Sequence, residues 1–195
     1  MIRVAVIGAG IFVRETYIPN LLANSTRVKL TAILSKTSAS IEECLLLIKD
    51  GGDVTRFIGS AGEEEFFIQA KDICDAVIIV VPIPLLAKYV ERCLLVGLHV
   101  LSEKPVAMTS LEARKLISLY RQEQRPCTWH VAENYRLEPA VCYASEIVQK
   151  YHLRPKTFSL VAIRQQSATS KFAVTPWRYY ISFSFPMYQT YFYID

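Results

Sequence analysis

The run Val4-Ala5-Val6-Ile7 drops without a polar break into Gly8-Ala9-Gly10-Ile11-Phe12-Val13, and this stretch, Met1 to Pro19, constrains the fold more than any other. A continuous apolar run so short and so β-branched reads as a strand covered on both faces, the kind found in parallel sheets. Glycines at its carboxyl end then have a purpose. Gly8 permits a tight turn that a side chain would hinder. Gly10 lets the backbone approach a pyrophosphate, whose charge meets the N–H groups at the next helix's N-terminus. The full pattern wants a third small residue where this chain has Val13. By itself the turn leaves open a plain structural role, a dinucleotide site and an S-adenosylmethionine site.

At 195 residues and 52% hydrophobic content, the chain is long enough to bury a sizeable core. Lys+Arg 22 against Asp+Glu 18 is a mild surplus without basic blocks, which argues against nucleic acid and for an anionic small molecule. No apolar stretch reaches membrane-spanning length. The five cysteines (Cys44, Cys74, Cys93, Cys127, Cys142) include no CxxC pair, and the opening residues read as a strand instead of a signal peptide, so a cytoplasmic protein is expected.

Beyond the glycines, Glu15–Ala23 reads as a helix with an early Pro19, and Val28–Leu34 as a strand ending at Ser35-Lys36-Thr37. In a dinucleotide fold an acid at this strand end would bond the ribose 2′-hydroxyl of NAD, whereas hydroxyls and a cation suit the 2′-phosphate of NADP. Ser35, Lys36 and Thr37 have no acid beside them, so NADP is preferred and NAD is the alternative. A solvated turn before a helix is the plainer reading of the same residues.

Three capping boxes are expected, at Ser40/Glu43 opening a helix Ile41–Lys49 that Gly51-Gly52 ends, at Ser60/Glu63, and at Thr109/Glu112. By that reading Glu63, Glu64 and Glu65 are surface charges near a helix start. Val54–Ile58 reads as a short strand. Asp75–Val81 is a clear one, followed by Pro82-Ile83-Pro84, a helix to Val96 stopped by Gly97, and the strand Leu98–Ser102. This alternation implies βαβ units and a doubly wound parallel sheet, with ligand at its carboxyl edge. That edge should gather Gly8 to Phe12, Ser35 to Thr37, Pro82 to Pro84, and Glu103-Lys104-Pro105. Beside a nicotinamide ring, the Lys104 ammonium can hydrogen-bond a substrate hydroxyl or carbonyl and assist hydride transfer.

With those residues in place, the chain resembles the family of glucose-fructose oxidoreductase and inositol dehydrogenase, Gfo/Idh/MocA. The matches are Val6-Ile7-Gly8-Ala9-Gly10-Ile11 with Pro19 beyond, Glu103-Lys104-Pro105-Val106-Ala107, Ala132-Glu133-Asn134-Tyr135-Arg136 with Pro139, and Thr175-Pro176-Trp177-Arg178. The resemblance implies an NAD- or NADP-binding Rossmann domain and a second, mostly antiparallel sheet domain carrying a sugar-like or other small hydroxyl or carbonyl substrate. It also implies Lys104 as the motif lysine at the nicotinamide, with Glu103 and Asn134 lining the cofactor cleft beside Gly8, Gly10, Ile11, Phe12 and Pro82. Two departures stand out. Ile83 and Leu86 occupy the loop where family members commonly carry Pro-Asn and a histidine, and the glycine-rich Asp and His motif after the Trp-Arg pair does not occur. The histidines His99, His130 and His152 are poor replacements, and no pair has metal-ligand spacing.

The expected layout is a Rossmann domain over residues 1–128, a partial second domain over 129–178 with a helix Leu137–Lys150 and a strand Lys156–Arg164, and an aromatic tail over 179–195. Eight aromatics crowd Tyr179–Asp195 without the polar alternation of a half-buried strand, as an altered reading of the gene would produce. A chain truncated in this way is expected to bind NADP with little turnover. The competing expectation is a non-catalytic NADP sensor or subunit, and copies are expected to associate, if at all, through the second domain.

Overall fold

The computed structural model of the chain describes residues 1–49, 53–122 and 127–154. Its elements are β1 (Ile2–Ile7), a π-helical turn (Val13–Tyr17) running into α1 (Ile18–Ala23), β2 (Val28–Ser35), α2 (Ser38–Leu45), β3 (Thr55–Ile58), α3 (Gly59–Ile73) and β4 (Ala76–Ile79). There follow α4 (Ile83–Val96), β5 (His99–Ser102), α5 (Ser110–Gln122), β6 (Trp129–Val131), a 3-10 turn (Asn134–Leu137) and α6 (Pro139–Lys150). The strands make one six-stranded sheet in the order β3-β2-β1-β4-β5-β6. Every neighbouring pair is parallel. The doubly wound sheet expected from the alternation is therefore present, and its strand order reverses between β1 and β4.

β1 is buried on both faces, which is why its sequence shows no alternation. Val4 and Val6 enter one cluster with Val13, Ile18, Ile33, Ile41 and Cys44. Ala5 and Ile7 enter the other, with Leu34, Phe57, Phe66, Val77, Ile79, Leu86 and Val90. The helical run from residue 11 to 23 and α2 thus cover one face, while α3, α4 and α5 cover the other. Helix α4 ends where expected: Gly97 sits at φ 82°, a left-handed conformation that a side chain disfavours, and its N–H donates to Leu94 O.

Of the three capping boxes, only that of α5 has its side-chain cap, and its return bond is shifted by one residue. Thr109 Oγ1 accepts the Glu112 N–H at 3.2 Å, and the Glu112 carboxylate reaches back to the Met108 N–H at 3.0 Å. Helix α2 starts earlier than expected, at Ser38, with Thr37 as its cap residue and no side-chain capping bond. Ser40 lies inside the helix, its hydroxyl drawn to Thr37 O and to its neighbours' hydroxyls. Helix α3 starts at Gly59, straight off β3, so Ser60 is already helical and cannot cap. Glu63 is not a bare surface charge either. It accepts from Tyr89 at 2.7 Å and pairs with Lys88 and Arg92, whose guanidinium lies 4.0 Å from the Phe67 ring centre. This cluster ties α3 to α4.

β6 carries the sheet past residue 128, and the compact unit built around it is Met1–Glu138. A second unit begins at Pro139 with α6. The helix expected at Leu137–Lys150 corresponds to α6, with Leu137 in the preceding 3-10 turn. The strand expected at Lys156–Arg164, the Thr175–Arg178 match and the tail Tyr179–Asp195 lie outside the described residues, as does Gly51-Gly52.

Candidate cofactor site

The carboxyl edge of the sheet carries three groups of the expected residues. At the first, Gly8 has φ 105° and its N–H donates to Leu34 O at 2.8 Å. A Cβ there would lie 2.0 Å from Val80 O, so this turn admits no side chain. A Cβ at Gly10 would meet nothing within 4 Å. The space over Gly10 is thus left open at the start of the helical run that begins with Ile11 and Phe12. A bare backbone facing free space beside a helix N-terminus fits a pyrophosphate. Val13, the bulky third position, is fully buried against Ile18, Ile33 and Ile41, and the backbone widens there into the π turn, with the Ile18 N–H bonding Val13 O.

The second group lies at the end of β2. Ser35 Oγ is 2.8 Å from Ser40 Oγ, Thr37 Oγ1 donates to Ser40 Oγ at 3.0 Å, and Ser40 Oγ donates to Thr37 O at 2.9 Å. Lys36 stands exposed beside this hydroxyl cluster, with no ion pair among the described residues. The acids of α2 are already matched to cations, Glu43 with Arg14 and Glu42 with Arg56. Ser40 joins this group although its sequence pattern pointed to a helix cap.

The third group borders a cleft of about 510 Å³ lined by Phe12, Tyr17, Glu103, Lys104 and Asn134 together with Ile78 and Leu101, and the cleft runs on beside α1 to Asn24 and Val28 at the amino end of β2. The Tyr17 hydroxyl donates to Glu103 Oε1 at 2.6 Å, and Glu103 Oε2 accepts the Lys104 N–H at 3.2 Å. Burial, and then the Glu103 carboxylate, hold the Tyr17 phenol well above its usual range. Lys104 is exposed at the cleft lip. Such an ammonium can donate to a substrate oxygen, since it has three donors and no ion pair among the described residues. Tyr17 was not among the residues expected here. Its spacing five residues after Phe12 matches no face of an α-helix, so only the π turn makes the pair adjacent, with ring centres 5.6 Å apart.

Pro82 is the exposed cap residue of α4 and is not part of the cleft wall. Ile83 and Leu86, expected in a loop, lie in the first turn of α4, and Leu86 is buried in the core. His99 accepts the Thr128 N–H at Nδ1 at the amino end of β5, His130 is exposed on β6 opposite Leu101, and His152 follows α6 at φ 51°. Neither His99 nor His130 borders the cleft.

Residues 2–131 match the family described as "Oxidoreductase family, NAD-binding Rossmann fold". The chain belongs to the Gfo/Idh/MocA oxidoreductase family. It is 29% identical over 182 residues to the dehydrogenase FPY6 of Fusarium mangiferae, covering 91% of this chain and 51% of that one. Among solved structures, an oxidoreductase of Thermotoga maritima is 31% identical with a TM-score of 0.65, over 76% of this chain and 43% of that one. The 3-ketoreductase KijD10 of Actinomadura kijaniata, solved with NADP and TDP-benzene, shares the fold at 23% identity and a TM-score of 0.62, over 76% of this chain and 42% of that one. The chain thus spans about half the length of these relatives.

Proposed function

We propose that residues 1–138 bind NADP along the carboxyl edge of the sheet and serve an oxidoreductase that moves hydride to or from a sugar-like or other small hydroxyl or carbonyl compound. The observation that carries the NADP preference is the hydroxyl cluster of Ser35, Thr37 and Ser40 beside Lys36, with Glu42 and Glu43 neutralised by arginines. The Lys36 ammonium can donate to a 2′-phosphate, the three hydroxyls can turn to it by giving up the bonds they make within the cluster, and no unpaired carboxylate of α2 stands there to repel it. Gly8 and Gly10 shape the pyrophosphate turn, Ile11 and Phe12 open the helix behind it, and Pro82, the exposed cap residue of α4 outside the cleft wall, borders the cofactor from the end of β4. Glu103, Lys104 and Asn134 face the nicotinamide. The bound nicotinamide supplies hydride chemistry. Lys104 does the rest that this unit can do, holding the substrate oxygen and its proton in place.

A second reading is a protein that binds NADP without turnover, as a sensor or subunit. It is favoured by His99 and His130, the histidines of the same compact unit, neither of which lines the cleft. A cytoplasmic setting belongs to either reading. Association of copies through the region beyond Pro139 is part of the proposal. Fluorescence titration of the chain with NADPH and NADH tests the preference. NADPH should bind more tightly, and Lys36→Glu should weaken it about tenfold or more while leaving NADH little changed. Tighter NADH binding, or no loss in Lys36→Glu, would reject the preference. Turnover abolished by Lys104→Ala would decide for the enzyme over the sensor.

A further inference from the structure

Tyr17 lies outside every motif that marks the family resemblance, yet it makes the closest polar contact of the cleft. Its hydroxyl donates to Glu103 Oε1 at 2.6 Å, and the other oxygen of that carboxylate receives the Lys104 N–H at 3.2 Å. A carboxylate on an exposed loop ordinarily samples several rotamers, and fixing one costs conformational entropy. Two hydrogen bonds on its two oxygens leave Glu103 one orientation, and the backbone of Lys104 is bound to that orientation. We infer that Tyr17 is a positioning residue for the Glu103-Lys104 segment and that the π turn is the device that aims it.

The π turn makes this geometry possible. From Phe12 to Tyr17 is a step of five residues, which an α-helix would spread over different faces, whereas an i→i+5 turn brings them together. Phe12 and Tyr17 meet edge to face with rings at 87°, so Phe12 packs against the phenol. Val13 and Ile18, at the two ends of the turn, are both fully buried, which locks the turn against the sheet. The chain Phe12, Tyr17, Glu103, Lys104 therefore connects the start of the helical run after β1 to the loop after β5, across the mouth of the cleft. A residue that only filled space would not need its hydroxyl there.

This inference rests on the reading of the cleft as the nicotinamide end of the site, and two measurements keep it separate from that reading. The first needs no cofactor. Amide hydrogen exchange at Lys104 in the chain alone should speed up roughly fivefold or more in Tyr17→Phe, the effect of releasing one hydrogen bond to a charged group, while the melting temperature stays near that of the wild type. The second is NADPH affinity. Tyr17→Phe, which keeps the ring contact with Phe12, should weaken binding several-fold, and Glu103→Gln combined with it should add little further loss. A packing role predicts instead that Tyr17→Phe behaves as wild type and only Tyr17→Leu is impaired. Unchanged NADPH affinity in Tyr17→Phe overturns the inference. If the wild-type chain binds neither NADPH nor NADH, the cofactor reading fails and exchange at Lys104 decides: acceleration in Tyr17→Phe upholds the positioning role, and unchanged exchange overturns it.

Discussion

Gly8 and Gly10 are indistinguishable as letters but opposite in what they require. A methyl group on Gly8 would press on Val80 O at 2.0 Å and would also force a side chain into φ 105°, whereas one on Gly10 would meet nothing within 4 Å. Gly8→Ala should therefore destabilise the unit by more than the ~1–3 kcal/mol of backbone strain alone, because the clash adds to it. Gly10→Ala should leave urea denaturation nearly unchanged and still cut NADPH binding sharply, since the methyl group occupies the space the backbone keeps open. Equal losses of stability in the two variants would mean that the open space over Gly10 has been misread. The sequence made both glycines visible and could not divide their roles, because the division depends on Val80, whose distance from Gly8 is fixed only by the pairing of β1 with β4. Ser40 and Tyr17 were hidden for a related reason: each gains its meaning from a neighbour that a local pattern does not reveal.

At the scale of elements, the boundaries that rested on a backbone requirement were legible and those that rested on side-chain pattern were less so. Gly97 stops α4 because its φ of 82° favours glycine, and Thr109 caps α5. Ser40 and Ser60 fit the capping pattern equally well, but α2 and α3 begin two and one residues before them, α2 after the short link Lys36-Thr37 and α3 directly off the end of β3. Within α3, Glu63 faces Lys88, Tyr89 and Arg92 of α4. There, burial would raise its pKa, but the hydrogen bonds from Lys88 and Tyr89 and the charges of Lys88 and Arg92 outweigh burial and hold it below the usual carboxylate value. A depressed folded pKa contributes stability that is present above the unfolded value, about 4.5, and lost as pH falls through the folded one. Glu63→Gln should thus cost about 1–3 kcal/mol in urea denaturation at pH 7, and the gap from wild type should close as pH is lowered through the acid range. A gap independent of pH would show that the ion pairs are dispensable and that only the Tyr89 hydrogen bond ties the helices.

For the molecule as a whole, the alternation of apolar runs and helical stretches was enough to anticipate a parallel sheet. It was enough because a strand buried on both faces, such as β1, must be covered by helices on both sides, and the crossover rule then leaves few strand orders. It said much less about the region from Pro139 onward, where α6 buries none of its residues. The order β3-β2-β1-β4-β5-β6 has a direct thermodynamic consequence. The cofactor groups of the proposal sit on both sides of the β1/β4 reversal, with Ser35 to Ser40 after β2, Gly8 to Phe12 after β1, and Glu103-Lys104 after β5. No one of these loops forms the site without the sheet that aligns them, so the ligand binds the folded unit and has no comparable site in the unfolded chain. Binding must then stabilise the fold by mass action, by about 2.7 kcal/mol at a free concentration a hundred times Kd. For a chain of this size that corresponds to a rise of roughly 5–10 °C in melting temperature. NADPH should produce this rise, NADH at the same concentration a smaller one, and Lys36→Glu should bring the two together by lowering the NADPH response. Gly10→Ala should melt as the wild type does without ligand and show almost no rise with either cofactor. A rise with NADPH that survives in both variants would place the ligand somewhere other than the edge of this sheet.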